Sequence, residues 1–180
     1  MQFLIVRSKT VYERIYVEAS NEEEALDIAS LDQGELINSF LFSQDMEKVF
    51  DLDQITSGLN TRQKEDALRI LKEGVKDPEL YDTELQDPVW IKNDSGDIVG
   101  YHMPFYRDIK TGWRVGNIYV DPQFRGYGWA RKAVEAFVKE KSKVAPVMVR
   151  VGNTASERLF SACGFKPSDY VKEGYRAWSL

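Results

Sequence analysis

The segment DPQFRGYGWARKA, residues 121–133, decides how this sequence is interpreted. Gly126 and Gly128 alternate with aromatic residues directly after Arg125, and an amphipathic helical pattern follows to residue 138. Because glycine has no Cβ atom, it lets an anion approach the N–H groups that begin a helix, where the helix dipole favours negative charge. Arg125 adds a charged donor suited to a phosphate oxygen. The segment therefore predicts a pyrophosphate cradle between a strand and a helix.

Two common phosphate-binding motifs do not fit this segment. A dinucleotide-binding fingerprint needs a third glycine where this chain has Arg131. A Walker loop needs Gly-Lys followed by Ser or Thr, and the segment lacks that order. On these residues alone, a purely structural turn stays open as the alternative to a phosphate site.

The composition is that of a folded globular chain. Its 180 residues suit one domain, or one domain with a small appendage. Its 43% hydrophobic and 29% charged residues are ordinary values for a globular protein. The net charge of −5 does not favour nucleic acid, which needs a basic face, and weakly favours cationic partners such as amines.

Cysteine and histidine are each present once, as Cys163 and His102. A single cysteine excludes an internal disulfide framework and is typical of a reducing compartment. A structural zinc site usually takes four Cys or His ligands, so no metal is expected. No apolar run approaches the ~20 residues of a membrane span, and the first residues, MQFLIVRSK, lack the order of a signal peptide. We therefore expect a cytoplasmic protein without a membrane partner.

The first 57 residues have their own pattern. FLIV and VYERIYVEA predict two strands, and SNEEEALDIA predicts a helix. LINSFLF and MEKVFDL are ambiguous between strand and helix. Residues 1–57 therefore predict a small α/β module.

The pattern changes from Asn60 onward. NTRQKEDALRILKEG predicts a helix with Asn60 as its cap, and three strands of an antiparallel meander follow up to Asp121. After the glycine loop come a helix, the strand PVMVRV, a second helix over residues 153–163 and a terminal stretch. The sequence therefore predicts an α/β (α+β) domain over residues 58–180.

Two segments in register carry a resemblance to a known family. QFRGYGWA follows the pattern Gln/Arg-x-x-Gly-x-Gly/Ala through Gln123, Gly126 and Gly128. NTASERLFSACGF follows an Asn-led helix that ends in Gly-Phe, starting at Asn153. Together they resemble the two signature segments of the GNAT superfamily of N-acetyltransferases, over roughly residues 60–180.

This resemblance implies the GNAT fold, a central sheet of mixed antiparallel and parallel strands with flanking helices. The N-terminal part is loosely similar to small β-β-α modules of phage and plasmid proteins. It either forms a separate module or completes the GNAT sheet.

The resemblance also implies acetyl-coenzyme A as the co-substrate and an amine-bearing acceptor, either a small molecule or a peptide or protein. The cofactor contacts would come from the strand before the glycine loop, from the loop itself and from the second signature helix. The residues implied are Ile118, Tyr119, Val120, Arg125, Gly126, Tyr127, Gly128, Trp129, Ala130, Asn153 and Phe160.

The catalytic positions are where the sequence departs from the family. The usual general acid, a tyrosine, is replaced by Phe160, and the usual base would fall around Arg114 or Gly116, which cannot serve. His102, whose residue type ordinarily titrates near neutrality, and Tyr119 are the substitutes that the sequence offers. A hydrogen-bonded or surface histidine and a packing tyrosine are the alternatives.

The resemblance therefore implies transfer of an acetyl group from acetyl-CoA to a primary amine by direct attack on the thioester. A backbone N–H of Val120 or its neighbour is expected to stabilise the oxyanion. The alternative, motivated by Phe160, is a catalytically weak or inactive GNAT scaffold that binds acetyl-CoA or a protein partner. Whether the chain forms a homodimer stays open.

Overall fold

The computed structural model describes residues 2–8, 11–21, 23–24, 35–41, 46–74 and 86–180. The chain forms two compact units, Met1–Tyr81 and Asp82–Leu180. The domain division at residues 57 and 58 stays a prediction.

A four-stranded antiparallel sheet forms the main part of the first unit, with the strand order β3-β2-β1-β4. In its centre, Ile5 of β1 lies opposite Ile15 of β2 and Val49 of β4. The two segments that were ambiguous in sequence are both strands, β3 and β4, and most of the predicted helix between β2 and β3 lies outside the described residues. The strands are β1 (Gln2–Ser8), β2 (Val11–Glu18), β3 (Glu35–Leu41) and β4 (Met46–Asp51).

Two helices follow in the first unit, α1 (Leu52–Ile55) and α2 (Thr61–Gly74). The predicted cap of α2 is confirmed as a reciprocal pair. The backbone N–H of Gln63 donates to Asn60 Oδ1 over 2.9 Å, and the N–H of Asn60 donates to Gln63 Oε1 over 3.1 Å. This cap fixes where the helix begins.

The second unit combines strands with helices, so the predicted mixed α/β architecture is confirmed. Its hydrogen-bonded strand orders are β5-β6-β9, β7-β8 and β10-β12-β11, and these described pairs are antiparallel. An isolated bridge between Trp113 and Val144 is parallel. The elements are β5 (Val89–Lys92), β6 (Ile98–His102), β7 (Phe105–Asp108), β8 (Gly112–Arg114), β9 (Ile118–Val120), a 3-10 turn (Pro122–Phe124), α3 (Trp129–Glu140), β10 (Val147–Arg150), α4 (Thr154–Ala162), β11 (Lys166–Lys172) and β12 (Tyr175–Ser179).

The predicted three-stranded meander is wrong in detail, because its second and third strands are each broken. Pro104 has no N–H to donate, so β6 ends just before it. Gly116 lies so close to the other segment that a Cβ atom there would stand 2.1 Å from the carbonyl oxygen of Met103. The hairpin of β7 and β8 therefore leaves the sheet, and β9 returns to pair with β6.

The β5-β6-β9 sheet has two distinct faces, because successive residues of a strand point to opposite sides. On one face Tyr101 stacks on Tyr119, with ring centroids 5.9 Å apart, and meets Trp90 edge-on. On the other face His102 meets Phe137 of α3 edge-on at 5.8 Å. Helix α3 therefore covers the His102 face.

The core of the second unit lies between α3, α4 and the β10-β12-β11 sheet. Val134 and Phe137 of α3 are buried there with Phe160 of α4. The other buried members are Val115, Val147, Val149, Phe165 and Trp178. This packing fixes the two helices that carry the signature segments.

Candidate active site

The glycine loop joins the end of β9 to the start of α3. The buried Asp121 accepts a hydrogen bond from the N–H of Gln123 over 3.1 Å and so begins the 3-10 turn. Gly126 and Gly128 follow with φ of +85° and +81°, a conformation that side chains with a Cβ atom rarely adopt. A Cβ atom built at either position would have no heavy atom within 4 Å. The backbone of the loop is therefore open on the side that a ligand would approach.

The first turn of α3 has backbone N–H groups that can donate to a ligand at the glycine loop. Gly128 is its N-cap and supplies no side-chain hydrogen bond. The first N–H groups of a helix have no partner within the helix, and the positive end of its dipole lies beside them. The backbone over Trp129 and Ala130 therefore has the geometry that an anion site needs, and its role in binding stays a prediction.

Arg125 holds the loop against the strand that precedes it. Its Nε donates to the carbonyl oxygen of Val120 over 2.9 Å, and its guanidinium carbon lies 5.6 Å from the ring centroid of Tyr119. Tyr127, between the two glycines, is 70% exposed. Arg125 thus anchors the loop as well as bringing positive charge near it.

Strand β9 has an open edge. The N–H of Asp121 donates to the carbonyl oxygen of Val99, and the N–H of Met103 donates to that of Asn117, so the two residues that flank β9 face β6. Because hydrogen-bonding direction alternates along a strand, the N–H groups of Ile118 and Val120 point away from β6. Among the described residues no strand pairs with that edge. An extended ligand could therefore hydrogen-bond to β9 as an added strand would.

The second signature helix, α4, places two of the predicted residues. Asn153 is its N-cap, with Oδ1 accepting from the N–H of Ser156 over 3.1 Å, so its NH2 group is the part that a cofactor could contact. Phe160 is 7% exposed, and its ring lies 5.4 Å from that of Phe165 in the core. Its place beside a thioester stays a prediction.

Comparison with known families identifies this region. Residues 86–167 match the family model described as an acetyltransferase (GNAT) domain. Residues 86–167 are a GNAT domain. The match contains both signature segments, and it begins just before β5.

Solved structures described as acetyltransferases are also similar to this chain. One is described as a GnaT-family acetyltransferase from Bordetella pertussis, with 17% identity, a TM-score of 0.38, and 71% of this chain and 83% of that chain covered. Another is the NatB acetyltransferase complex bound to CoA and MES, with 17% identity, a TM-score of 0.40, and 72% and 92% covered. No curated protein matches the sequence at a significant level. Since both TM-scores are low, the identification rests on the family model.

Two general features of the described residues concern metal binding and membrane insertion. Within them, no three His, Cys, Asp or Glu side chains come together as a metal site would require. None of the helices in the described part of the chain is long and apolar enough to cross a membrane.

The two catalytic candidates of the GNAT domain lie on opposite faces of its sheet. Tyr119 lies on the face with Tyr101, whereas His102 lies under α3 and is 6% exposed. Burial lowers the pKa of His102 to about 4, a shift that Glu140 opposes only in part. His102 is therefore uncharged at neutral pH and is a weak base. The structure does not bring the two side chains together, and their catalytic roles stay predictions.

The sequence analysis did not identify the residues that hold the glycine loop of the GNAT domain in place. Asp121 starts the turn, and a strand followed by Asp-Pro was the available signal. Gly100 lets β6 approach β9, since a Cβ atom there would stand 2.3 Å from the carbonyl oxygen of Tyr119. A glycine inside a strand pattern is the usual sign of such a close approach.

The shifted pKa of His102 predicts a pH dependence of stability. Between about pH 6.5 and pH 4, His102 is protonated in the unfolded chain but not in the folded chain. The free energy of unfolding therefore rises with pH over this range. We expect the free energy of unfolding of the second unit to fall by about 2 kcal/mol from pH 7 to pH 5 on this account. Urea unfolding at the two pH values measures it.

The matched variant for this experiment is His102→Gln, which removes the sole histidine of the chain. Its free energy of unfolding should change less between pH 7 and pH 5 than that of the wild type. An equal change in both proteins would show that His102 is not the group responsible.

Proposed function

We propose that this chain is an acetyl-CoA-dependent N-acetyltransferase that acetylates a primary amine of a small molecule, peptide or protein. The observation that carries the proposal is the pair of left-handed glycines, Gly126 and Gly128, at the start of α3, where no side chain caps the helix. Such a start favours a pyrophosphate, and its setting is the GNAT domain. The proposed enzyme domain extends beyond the matched residues, over residues 58–180, in a cytoplasmic protein.

The residues present fit the cofactor. The backbone N–H groups from Gly126 to Ala130 would bind the pyrophosphate, in a space that a Cβ atom would otherwise reach into. The open edge of β9, at Ile118, would bind the pantetheine arm by hydrogen bonds, which leaves the N–H of Val120 for the thioester end. The NH2 group of Asn153 would contact the same arm. When bound, acetyl-CoA supplies an acetyl group on a thioester with a good leaving group.

Charge stabilisation and proton transfer would come from different parts of the chain. The N–H of Val120, which points to the open edge, is the proposed donor to the acetyl carbonyl oxygen. The tyrosine hydroxyl of Tyr119 and the imidazole of His102 stay the candidates for taking the proton of the amine. Since the pKa of His102 is about 4, its contribution as a base would be small at neutral pH.

A second function, binding of acetyl-CoA with little or no turnover, is favoured by Phe160. This residue stands where the family usually has its acid, and it is buried in an apolar cluster. Losing a positioned acid typically costs 10²–10⁴-fold in rate. A scaffold of this kind would bind the cofactor as tightly as an enzyme.

Calorimetric titration with acetyl-CoA tests the cofactor assignment. We expect micromolar binding, and comparable binding of desulfo-CoA, because the proposed cradle and strand edge do not use the sulfur. Acetylpantetheine, which lacks the pyrophosphate, should bind at least about 100-fold more weakly. NAD serves as the control, since it has a pyrophosphate but no pantetheine arm.

The results of these titrations distinguish the proposed functions. Binding of acetyl-CoA and not of NAD supports the proposal, and assays with a panel of amines then distinguish an enzyme from a scaffold. Absence of heat and of thermal stabilisation by acetyl-CoA would show that the motifs preserve a fold alone.

A further inference from the structure

The hairpin of β7 and β8 ends in a turn that exposes a large apolar side chain. Ile109 is 84% exposed, more than any other large hydrophobic residue that the structure describes. Turn positions of this kind usually carry Gly, Pro, Asn, Asp or Ser. Since one exposed apolar residue is common on protein surfaces, its charged surroundings decide what it can bind.

Three cations surround this isoleucine. Arg107 and Lys110 flank it in the turn, and the Nζ of Lys143 donates to the carbonyl oxygen of Ile109 over 3.3 Å. All three cations are exposed, and among the described residues none of them forms an ion pair. The partner of Lys143 is an uncharged carbonyl group, so the positive charge of Lys143 is not neutralised. We refer to Arg107, Ile109, Lys110 and Lys143 as the hairpin-tip patch.

The one acidic residue of the hairpin is used within the turn. Asp108 Oδ1 accepts hydrogen bonds from the backbone N–H of Lys110 over 2.8 Å and from that of Thr111 over 2.7 Å. An aspartate that caps a turn in this way stabilises its backbone conformation. It therefore shapes the patch and leaves the cations available to a partner.

The hairpin is held firmly against the segment that carries Lys143. The N–H of Trp113 donates to the carbonyl oxygen of Lys143 over 3.0 Å, and the N–H of Ala145 donates to that of Trp113 over 2.6 Å. A Cβ atom at Gly112 would stand 2.5 Å from the carbonyl oxygen of Lys143. Tyr106 also packs edge-on against Trp113, with ring centroids 5.6 Å apart. The patch is thus formed in the folded chain, which lowers the ordering cost of binding a partner.

The charge around the patch is opposite to that of the chain as a whole. Residues 105–114 and 139–145 contain six lysine and arginine residues and two acidic residues, whereas the whole chain has 24 and 29. A local cationic region on an acidic chain attracts a short anionic segment. A nucleic acid carries its charge along its whole length and is repelled by the acidic remainder, and a single isoleucine is a weak anchor at a lipid surface. An acidic peptide also has apolar side chains that can contact Ile109.

We propose that the hairpin-tip patch docks an acidic segment of a partner protein, in which carboxylates flank a leucine. The carboxylates lie at Arg107, Lys110 and Lys143, and the leucine packs on Ile109. This surface is independent of acetyl transfer, because the hairpin contains none of the proposed cofactor residues.

Fluorescence anisotropy with a labelled heptapeptide tests the proposal. The peptide has a central leucine with three acidic residues on each side, and its analogue has the corresponding amides in place of the acids. We expect saturable binding of the acidic peptide below millimolar concentration, weakened by added salt, and at least about tenfold weaker binding of the amide analogue. No saturable binding, or equal binding of the two peptides, overturns the proposal. Tighter binding of a single-stranded oligonucleotide of equal charge, or of phosphatidylserine vesicles, overturns the assignment to an acidic protein segment.

Variants of matched charge locate the binding surface. The double variant Arg107→Gln, Lys110→Gln should weaken binding of the acidic peptide about fivefold. The double variant Lys166→Gln, Lys172→Gln removes the same charge from exposed positions of β11 and should change the affinity less than about twofold. Ile109→Ser should weaken binding about threefold through lost apolar contact. An equal effect of the two double variants would show that net charge alone attracts the peptide, and would overturn the proposed surface. Failure of acetyl-CoA to bind the chain would leave these peptide titrations unaffected.

Discussion

Replacing Gly126 by aspartate is expected to lower the affinity for acetyl-CoA by at least about 100-fold. The residue has φ of +85° and open space where a Cβ atom would stand, so the new side chain would occupy the proposed pyrophosphate position. Its carboxylate would also place like charge beside the phosphates. Calorimetric titration of the variant with acetyl-CoA measures the loss.

Gly174→Asp is the matched control for this experiment. Gly174 lies in the turn between β11 and β12, with φ of +83° and no heavy atom within 4 Å of a Cβ atom. Both variants force a side chain into the same left-handed conformation, so both should lose about 1 kcal/mol of stability. Loss of binding in Gly126→Asp alone identifies the cradle. Unchanged affinity in Gly126→Asp would disprove the cradle assignment.

Replacing Phe160 by tyrosine is expected to raise the rate of acetyl transfer by about 100-fold, because it supplies the acid that the family usually has there. The affinity for acetyl-CoA should stay the same, since the backbone contacts are not altered. Thiol release from acetyl-CoA with a panel of primary amines measures the rate. A hydroxyl added to this buried ring should cost about 1 kcal/mol of stability.

Phe165→Tyr serves as the control, because Phe165 packs against Phe160 in the same cluster and is also buried. It should lose similar stability and gain no rate. If Phe160→Tyr loses stability without any gain, position 160 belongs to the core and not to the reacting centre. Acetyl transfer would then have to proceed without a general acid at position 160.

The features that could be predicted from the sequence are those with local causes. Asn60 and Asn153 cap their helices through hydrogen bonds to residues three positions later, and such spacings can be read directly. The two glycines of the loop adopt the left-handed conformation that their position before a helix indicates. The helices Trp129–Glu140 and Thr154–Ala162 and the strand Val147–Arg150 between them were predicted from such local signals.

The features that could not be predicted depend on contacts between distant segments. The meander breaks where Gly116 meets the carbonyl oxygen of Met103, a contact that neither residue reveals on its own. The environment of His102 depends on Phe137, which belongs to a helix much later in the chain. Its lowered pKa is thus a consequence of burial under this helix, whereas residue type alone indicates an ordinary pKa of 6.5.

The hydrogen bond from Arg125 Nε to the carbonyl oxygen of Val120 has a consequence for how tightly a ligand can be held. Ordering a glycine-rich segment costs the most conformational entropy per residue, because glycine has the most conformational freedom to lose. This bond holds Arg125, at the start of the glycine segment, against the end of β9 in the folded chain. Much of the ordering is thereby completed during folding, so a ligand of the proposed pyrophosphate site would meet a loop that already has its binding conformation.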